Sequence, residues 1–410
     1  MTRLKQAVCA CILACALLPA IAAQAATYYV ATTGNNSNPG TSSKPWKTVA
    51  YATSKMVAGD TTYVRGGTYN EGIVRFGRSG TKSAPIRLLN APGEFPIIHC
   101  IDGKTTSKGH RVLIQNSAGS KNPIGWITIE GFEIRYCQDN IKMYNGHDLT
   151  IRRNWIHHSY NQGIMGNGTR ILVDRNRINH NGNFGACSTC TKQHGIYANG
   201  TAWTITNSLI YDNLGYGIQM NGSTSYDSAL HPAPEFAVSS NWVVANNTMA
   251  YSVNAGGMVV WGARSTKARI ENNVFYENGV KMASHHSQGI TFLNSGTGNT
   301  VRNNLAFASG SGATKFIAGG TQGTHYTQSG NIVNTLNPKF VNAAATLPSS
   351  PNFALTSGSP AIDKGLTSSA TKTSYTNISR PQQSYYDMGA FEFLSSSTSL
   401  AAPTSLQLVN

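Results

Sequence analysis

Charge is scarce in this 410-residue chain, where Asp, Glu, Lys and Arg together make up 12%. That excludes a coiled coil and a charge-rich disordered chain. Acid is scarcer than base, 17 residues against 32, and no two aspartates are adjacent. Glycoside hydrolysis, which relies on facing carboxylates, is disfavoured by that poverty. No apolar run after the first 25 residues is long enough to span a bilayer. A leucine-rich consensus is missing, and so is the steady blade of 40 or so residues that a propeller requires. Paired CxxC motifs are absent too, so "CSTC" at 187–190 stands as a loop staple rather than a redox or zinc site.

The N-terminus carries Arg3 and Lys5, then an apolar stretch, then Ala23-Gln24-Ala25. This is the order of a secretory signal peptide, residues 1–25, and it predicts an extracellular or periplasmic protein. "ILAC" ending at Cys15 weakly resembles a lipoprotein box, the alternative. Losing Arg3 and Lys5 takes the formal charge from +15 to +13. A basic exported protein is drawn to something anionic, such as acidic glycan, nucleic acid or a lipid surface. The basic residues are dispersed and no nucleic-acid motif is present, so an acidic polysaccharide is the expected partner, met by a monomer. Cys100, Cys137, Cys187 and Cys190 remain after cleavage, enough for two disulfides in an oxidising compartment.

Gly, Asn, Ser and Thr are abundant, and one phrase returns along the chain. "ITIEGFEI" (127–134), "LTIRRNWI" (149–156), "ILVDRNRI" (171–178), "WTITNSLI" (203–210), "WVVANNTM" (242–249), "ARIENNVF" (268–275) and "NTVRNNLAF" (299–307) share a β-branched residue, usually an Asn, then another apolar residue. A second short strand follows the earlier copies: "NIKM", "GIMG", "GIYA", "GIQM". Units this small cannot bury an apolar face alone, so they must stack. The fold expected is all-β, a single-stranded parallel β-helix with Ile151, Val173, Ile205, Val244, Ile270 and Val301 stacked inside. Asn154, Asn176, Asn247, Asn273 and Asn304 should form a ladder at one bend, taking up its left-handed backbone. Asn167, Asn199 and Asn221, each before Gly, suggest a second ladder. Spacings that widen from 22 to about 40 residues imply inserted loops at 181–192, 223–240 and 278–286, which collect on a binding face in such proteins.

The domain reading is an N-terminal cap and first coils (26–125), a central β-helix (126–310), C-terminal coils and cap (311–394) and a mobile tail (395–410). "KPWKTVAYATSKMVAGD" (44–60) places Trp46, Val49, Ala50, Thr53 and Val57 on one face of a capping helix that ends at Gly59. "TYYVATTGNNSNPGTSSKPWKTVAYATSKMVAGDTTYVRGGTY" and "SPAIDKG…RPQQSYYDMGAFEF" resemble secreted bacterial right-handed parallel β-helix proteins, among them polysaccharide lyases of pectate lyase family nine. The resemblance spans nearly all of the chain after residue 25. It implies a right-handed coil and action on a polysaccharide, although such folds also carry uronan epimerases. It also implies calcium held by clustered Asp, for which Asp139, Asp174 and Asp212 are the only central candidates, on different faces. Cofactor use is therefore left open.

Polar residues that break the repeat mark the site. His158, His180, Asp212, Lys192, His194 and Tyr216 should meet within two or three rungs, at about 4.8 Å per rung. A lyase for acidic glycan needs a base, a proton donor and cations to hold the substrate carboxylate. Lys192 or His194 is the expected base and Tyr216 the donor, with Tyr197 as its substitute. Arg152, Arg175 and Lys142 are the expected carboxylate clamp, and Gln162, His158 and His180 line the site. A C5-epimerase would use almost the same parts. The other readings are a glycoside hydrolase and a non-catalytic glycan-binding protein of the cell surface.

Overall fold

The computed structural model describes residues 25–100, 109, 111–185, 191–222, 233, 236–279, 281, 288–308, 315–367 and 370–395. The signal segment, the CSTC loop with Cys187 and Cys190, most of the insertions at 223–240 and 278–286, and all but the first residue of the tail lie outside them. Among the described residues no helix is long and apolar enough to cross a membrane.

The repeating phrase coils into a parallel β-helix of three faces. Ten strands, from Gly67–Asn70 to Ile332–Val333, form the third face. Twenty strands form the first and second faces, which are joined where long strands such as Ile141–Arg152 and Ile164–Asp174 turn a corner. Ile141, Ile164, Ile196, Ile218, Met258 and Ile290 stack inward from the first face. Ile151, Val173, Ile205, Val244, Ile270 and Val301 stack from the second, as the repeat predicts. All are fully buried. The recurring Gly-Ile has a steric cause, since a Cβ on Gly163, Gly195 or Gly217 would lie 2.6 or 2.7 Å from the next rung's carbonyl oxygen. Such crowding admits glycine alone.

The asparagine ladder runs between the second and third faces. Asn154 N–H donates to Asn176 Oδ1 at 3.0 Å, Asn176 N–H to Ser208 Oγ at 3.1 Å, and Ser208 N–H to Asn247 Oδ1 at 3.0 Å. Asn273, Asn304 and Asn331 continue it. The left-handed backbone, however, belongs to the preceding residue: Arg153, Arg175, Asn207, Asn246, Asn272 and Asn303 have φ between 49° and 58°. Asn167, Asn199 and Asn221 do line up, yet they form no continuous chain of bonds: Asn199 donates to Phe236 O and Asn221 to Tyr197 Oη. The second ladder lies instead after the third face. There Ser159 N–H donates to Asn181 Oδ1, Asn181 N–H to Asn213 Oδ1, and Ser252 N–H to Asn278 Oδ1.

Both ends depart from expectation. The helix α1 is short, Val49–Lys55, with Thr48 as its N-cap and Val49, Ala52 and Thr53 buried. Trp46 precedes it, bridged to Val30, and Val57 is exposed. The C-terminal part runs back along the flank. After the hairpin of Phe340–Asn342 and Asn352–Leu355, the chain lays Phe353, Ala361, Met388 and Ala390 on the outward residues Leu209, Tyr211, Ala250, Val274, Tyr276 and Leu305 of the third face. Cys100 and Cys137 form a disulfide between successive turns.

Candidate functional site

Successive rungs leave the third face through one left-handed residue, followed by the disulfide Cys137 in the first and by a ladder Asn or Ser in the rest. That left-handed position is held by Tyr136, His158, His180, Asp212, Tyr251 and Glu277 in successive rungs. The ladder beneath fixes the backbone, so these side chains form an axial column along the outside of the coil. Tyr136 lies 5.2 Å from His158, His158 lies 4.4 Å from His180, and Phe184 stacks flat on His180 at 4.1 Å and 5°. His180 Nδ1 is 2.7 Å from Asp212 Oδ2.

The adjoining strands deepen the cluster. His157 Nε2 lies 3.2 Å from Glu133 Oε1, and its Nδ1 lies 2.5 Å from His158 Nδ1. The carboxylate accepts from His157 Nε2–H, so His157 Nδ1 accepts in turn from His158 Nδ1–H. Burial, then the charge of His157, His180 and Arg135, pushes His158 down to about 3. Trp155 stacks on His157 at 4.1 Å, and Arg177 lies over Trp155 at 4.5 Å while donating to Tyr211 Oη. Arg135 donates to His99 Nδ1 and pairs with Glu133.

His180 has the arrangement of a general base. Phe184 stacks flat on its ring, His158 lies tilted against it, and Asp212 accepts from Nδ1–H. Its remaining nitrogen, Nε2, lies on the edge of a half-exposed ring, and a proton taken there leaves an imidazolium steadied by Asp212.

The other expected residues gather elsewhere. His194 is 2% exposed; its Nδ1 accepts from Tyr216 N–H at 3.0 Å and burial pushes it down to about 3. It is a neutral structural acceptor and not a base open to solvent, because its lone pair is already engaged. Tyr216 is likewise buried, pushed up to about 12 by that burial, and bonded to Thr291, so it is no accessible proton donor. Gln162 joins this inner group, accepting from His194 N–H and donating to Lys192 O. Lys192 itself is exposed. It sits on the turn that begins at His180, a turn closed by Asn183 N–H donating to Gln193 Oε1 at 2.7 Å. Tyr197 is half-buried on the first face, accepting from Asn221.

The expected clamp does not assemble. Lys142 is buried on the first face, 3.8 Å from Asp139. Arg152 pairs with Glu130 and Arg175 with Asp174, each at 2.7 Å, at the end of the second face. Register places Arg152 beside Glu130 on the neighbouring strand, and Arg175 follows Asp174 directly in the chain, so each cation is neutralised locally. Arg135 and Arg177 are the cations beside the histidines, and the sequence reading assigned neither to the site. A signal for the site was present: a second Asn or Ser recurs five residues after each ladder residue, at 159, 181, 213, 252 and 278.

Calcium does not fit the aspartates. Asp139 faces Lys142 and Arg111, Asp174 is bound by Arg175, and Asp212 is held by His180. They lie at three different places around the coil, and among the described residues no three metal-binding side chains converge.

A parallel coil with buried ladders and a polar column on one flank defines a right-handed parallel β-helix protein. The chain belongs to the Pel9A-like family: the sequence model described as "Pel9A-like, right handed beta helix region" matches residues 28–344. Its fold is similar to that of the crystal structure of pectate lyase Pel9A, with a TM-score of 0.55 and 19% identity over 89% of this chain and 96% of that one. Shorter stretches resemble pectate lyase PEL9 of Emericella nidulans, 39% identical over 84 residues, and the uncharacterised protein YwoF of Bacillus subtilis, 40% identical over 70. These stretches are 20% and 17% of this chain and span 20% and 15% of those two proteins' own lengths.

Proposed function

We propose that the protein is an exported lyase that cleaves an acidic, uronic-acid-containing polysaccharide by β-elimination. The observation that carries this reading is His180, packed against Phe184 and His158 with its Nδ1 on Asp212. In the proposed step Nε2 takes the C5 proton of a uronate. The C4–O4 bond then breaks as the C4=C5 double bond forms, and the departing oxygen receives the proton held by His180. Arg135, Arg177 and the exposed Lys192 supply positive charge along the same flank for the substrate carboxylates. Family membership and a pectate lyase among the similar proteins support the substrate class, as does the basic charge.

The test is incubation with a panel of uronic-acid polymers, following the ultraviolet absorbance of the unsaturated product. Absorbance should grow, and His180→Ala should lower kcat by roughly 10²–10⁴-fold with a smaller change in KM. Asp212→Asn should lose part of that, while Lys192→Ala should act mainly on KM. Full activity in His180→Ala would remove the dyad and return the base to Lys192. New reducing ends without absorbance would mean hydrolysis, and an altered C5 configuration in an intact polymer would mean epimerisation.

A further inference from the structure

We infer that the column is a blind track that takes one end of a glycan, so the enzyme works from the chain terminus. The inference rests on the lyase reading for its chemistry, but the geometry stands independently. Tyr136, His158 and His180 follow the coil axis, and a glycan lying on them runs the same way. Rungs are about 4.8 Å apart, close to the length of one sugar unit in a chain.

On the Tyr136 side the column continues to His99, whose ring lies 5.3 Å from Tyr136, and Tyr136 itself is 40% exposed. On the far side it ends abruptly. Asp212 is the last accessible member, and Tyr251 in the next rung is 4% exposed. The Tyr251 hydroxyl donates to Ala344 O at 2.7 Å and accepts from Ala344 N–H at 3.1 Å. Phe353 packs on Tyr211 and Tyr251, and Phe340 packs on Tyr276. The hairpin and residues 343–344 therefore stand across the axis about two rungs beyond His180.

The outward residues of the coil change character at the same place. Before the wall they are Glu133, Arg135, Trp155, His157, Arg177 and Asn179, of which His157 and Asn179 are themselves buried; beyond it they are mainly apolar and lie under the C-terminal segment. The wall is thus a packed hydrophobic contact and not a loop resting on a polar groove. Between His180 and the wall there is room for one or two sugar units, which sets the expected product size.

The test uses the full-length protein and oligogalacturonate of about six units in three forms: unlabelled, bulky-labelled at the reducing end, and bulky-labelled at the other end. Binding is measured by calorimetry with His180→Ala, so that no turnover intervenes. A label on one particular end should weaken binding more than ~10-fold, while the same label on the opposite end should have little effect. Equal binding of both labelled forms would overturn the inference. Failure of all three to bind would overturn the acidic-glycan reading and the inference with it. Wherever absorbance reports turnover, products from the earliest times should be mono- or disaccharides with slow loss of viscosity. A broad ladder of oligomers would refute the blind track while leaving the lyase intact.

Discussion

His180 and His194 have the same ring, fourteen positions apart on one turn, and opposite fates. The left-handed step before Asn181 turns His180 outward to meet Asp212, whereas the strand entry at Gly195 turns His194 inward against Tyr216 N–H. His194 carries a measurable signature of its burial. In the fold it stays neutral down to about 3, while the unfolded chain protonates it near 6.5. Between those values the unfolded state binds the extra proton. Stability from this site is therefore whole above pH 6.5 and drains as pH falls toward 3, by about 1.4 kcal/mol per unit. Urea unfolding of the wild type and His194→Gln between about pH 7.5 and 4.5 checks this. The variant should be less stable at neutral pH and lose less on acidification; parallel curves would show that His194 does not titrate as described.

Two ladders fix the corners of the coil, and they predict different consequences of the same substitution. Asn176 Oδ1 accepts from Asn154 N–H, and its Nδ2 donates to Ile151 O at 2.8 Å. Alanine there strands buried backbone groups, at a cost of about 2–4 kcal/mol in thermal or urea unfolding. Asn181→Ala should cost a similar amount, since Asn181 Oδ1 serves Ser159 N–H and its Nδ2 serves Ile156 O. The two variants should separate in activity measured well below their melting temperatures. Asn176→Ala should keep wild-type kcat, while Asn181→Ala should lower it, because Asn181 anchors the step that aims His180. Equal kcat in both would show that the second ladder does not position the base.

At the scale of the molecule, the C-terminal segment completes a flank that the coil leaves apolar. Phe353 is fully buried among Tyr211, Tyr251 and Phe340. Phe353→Ala should cost about 3–5 kcal/mol, read from the denaturant midpoint. Exposure of Leu209, Val274 and Leu305 in a chain cut before residue 340 should drive aggregation. Attraction between the basic flank and an acidic glycan should weaken as salt rises past the Debye regime, raising KM with little change in kcat. A KM insensitive to salt would count against charge as the source of affinity.

The sequence by itself determined the coil, because a unit of two short strands has no way to bury its apolar side except against its own copies. The inward isoleucines and valines and the first ladder followed from that periodicity, and the basic character from the excess of Lys and Arg over Asp and Glu. Tertiary structure decided which polar side chain meets solvent, since a one-residue shift between ladder Asn and left-handed neighbour separates inside from outside. It also decided how Arg152 and Arg175 are spent: Arg152 is neutralised by Glu130, 22 residues earlier on the neighbouring strand, and Arg175 by the adjacent Asp174. The same holds for the strap, because the apolar residues that it covers read as ordinary rung positions until the chain returns to lie on them.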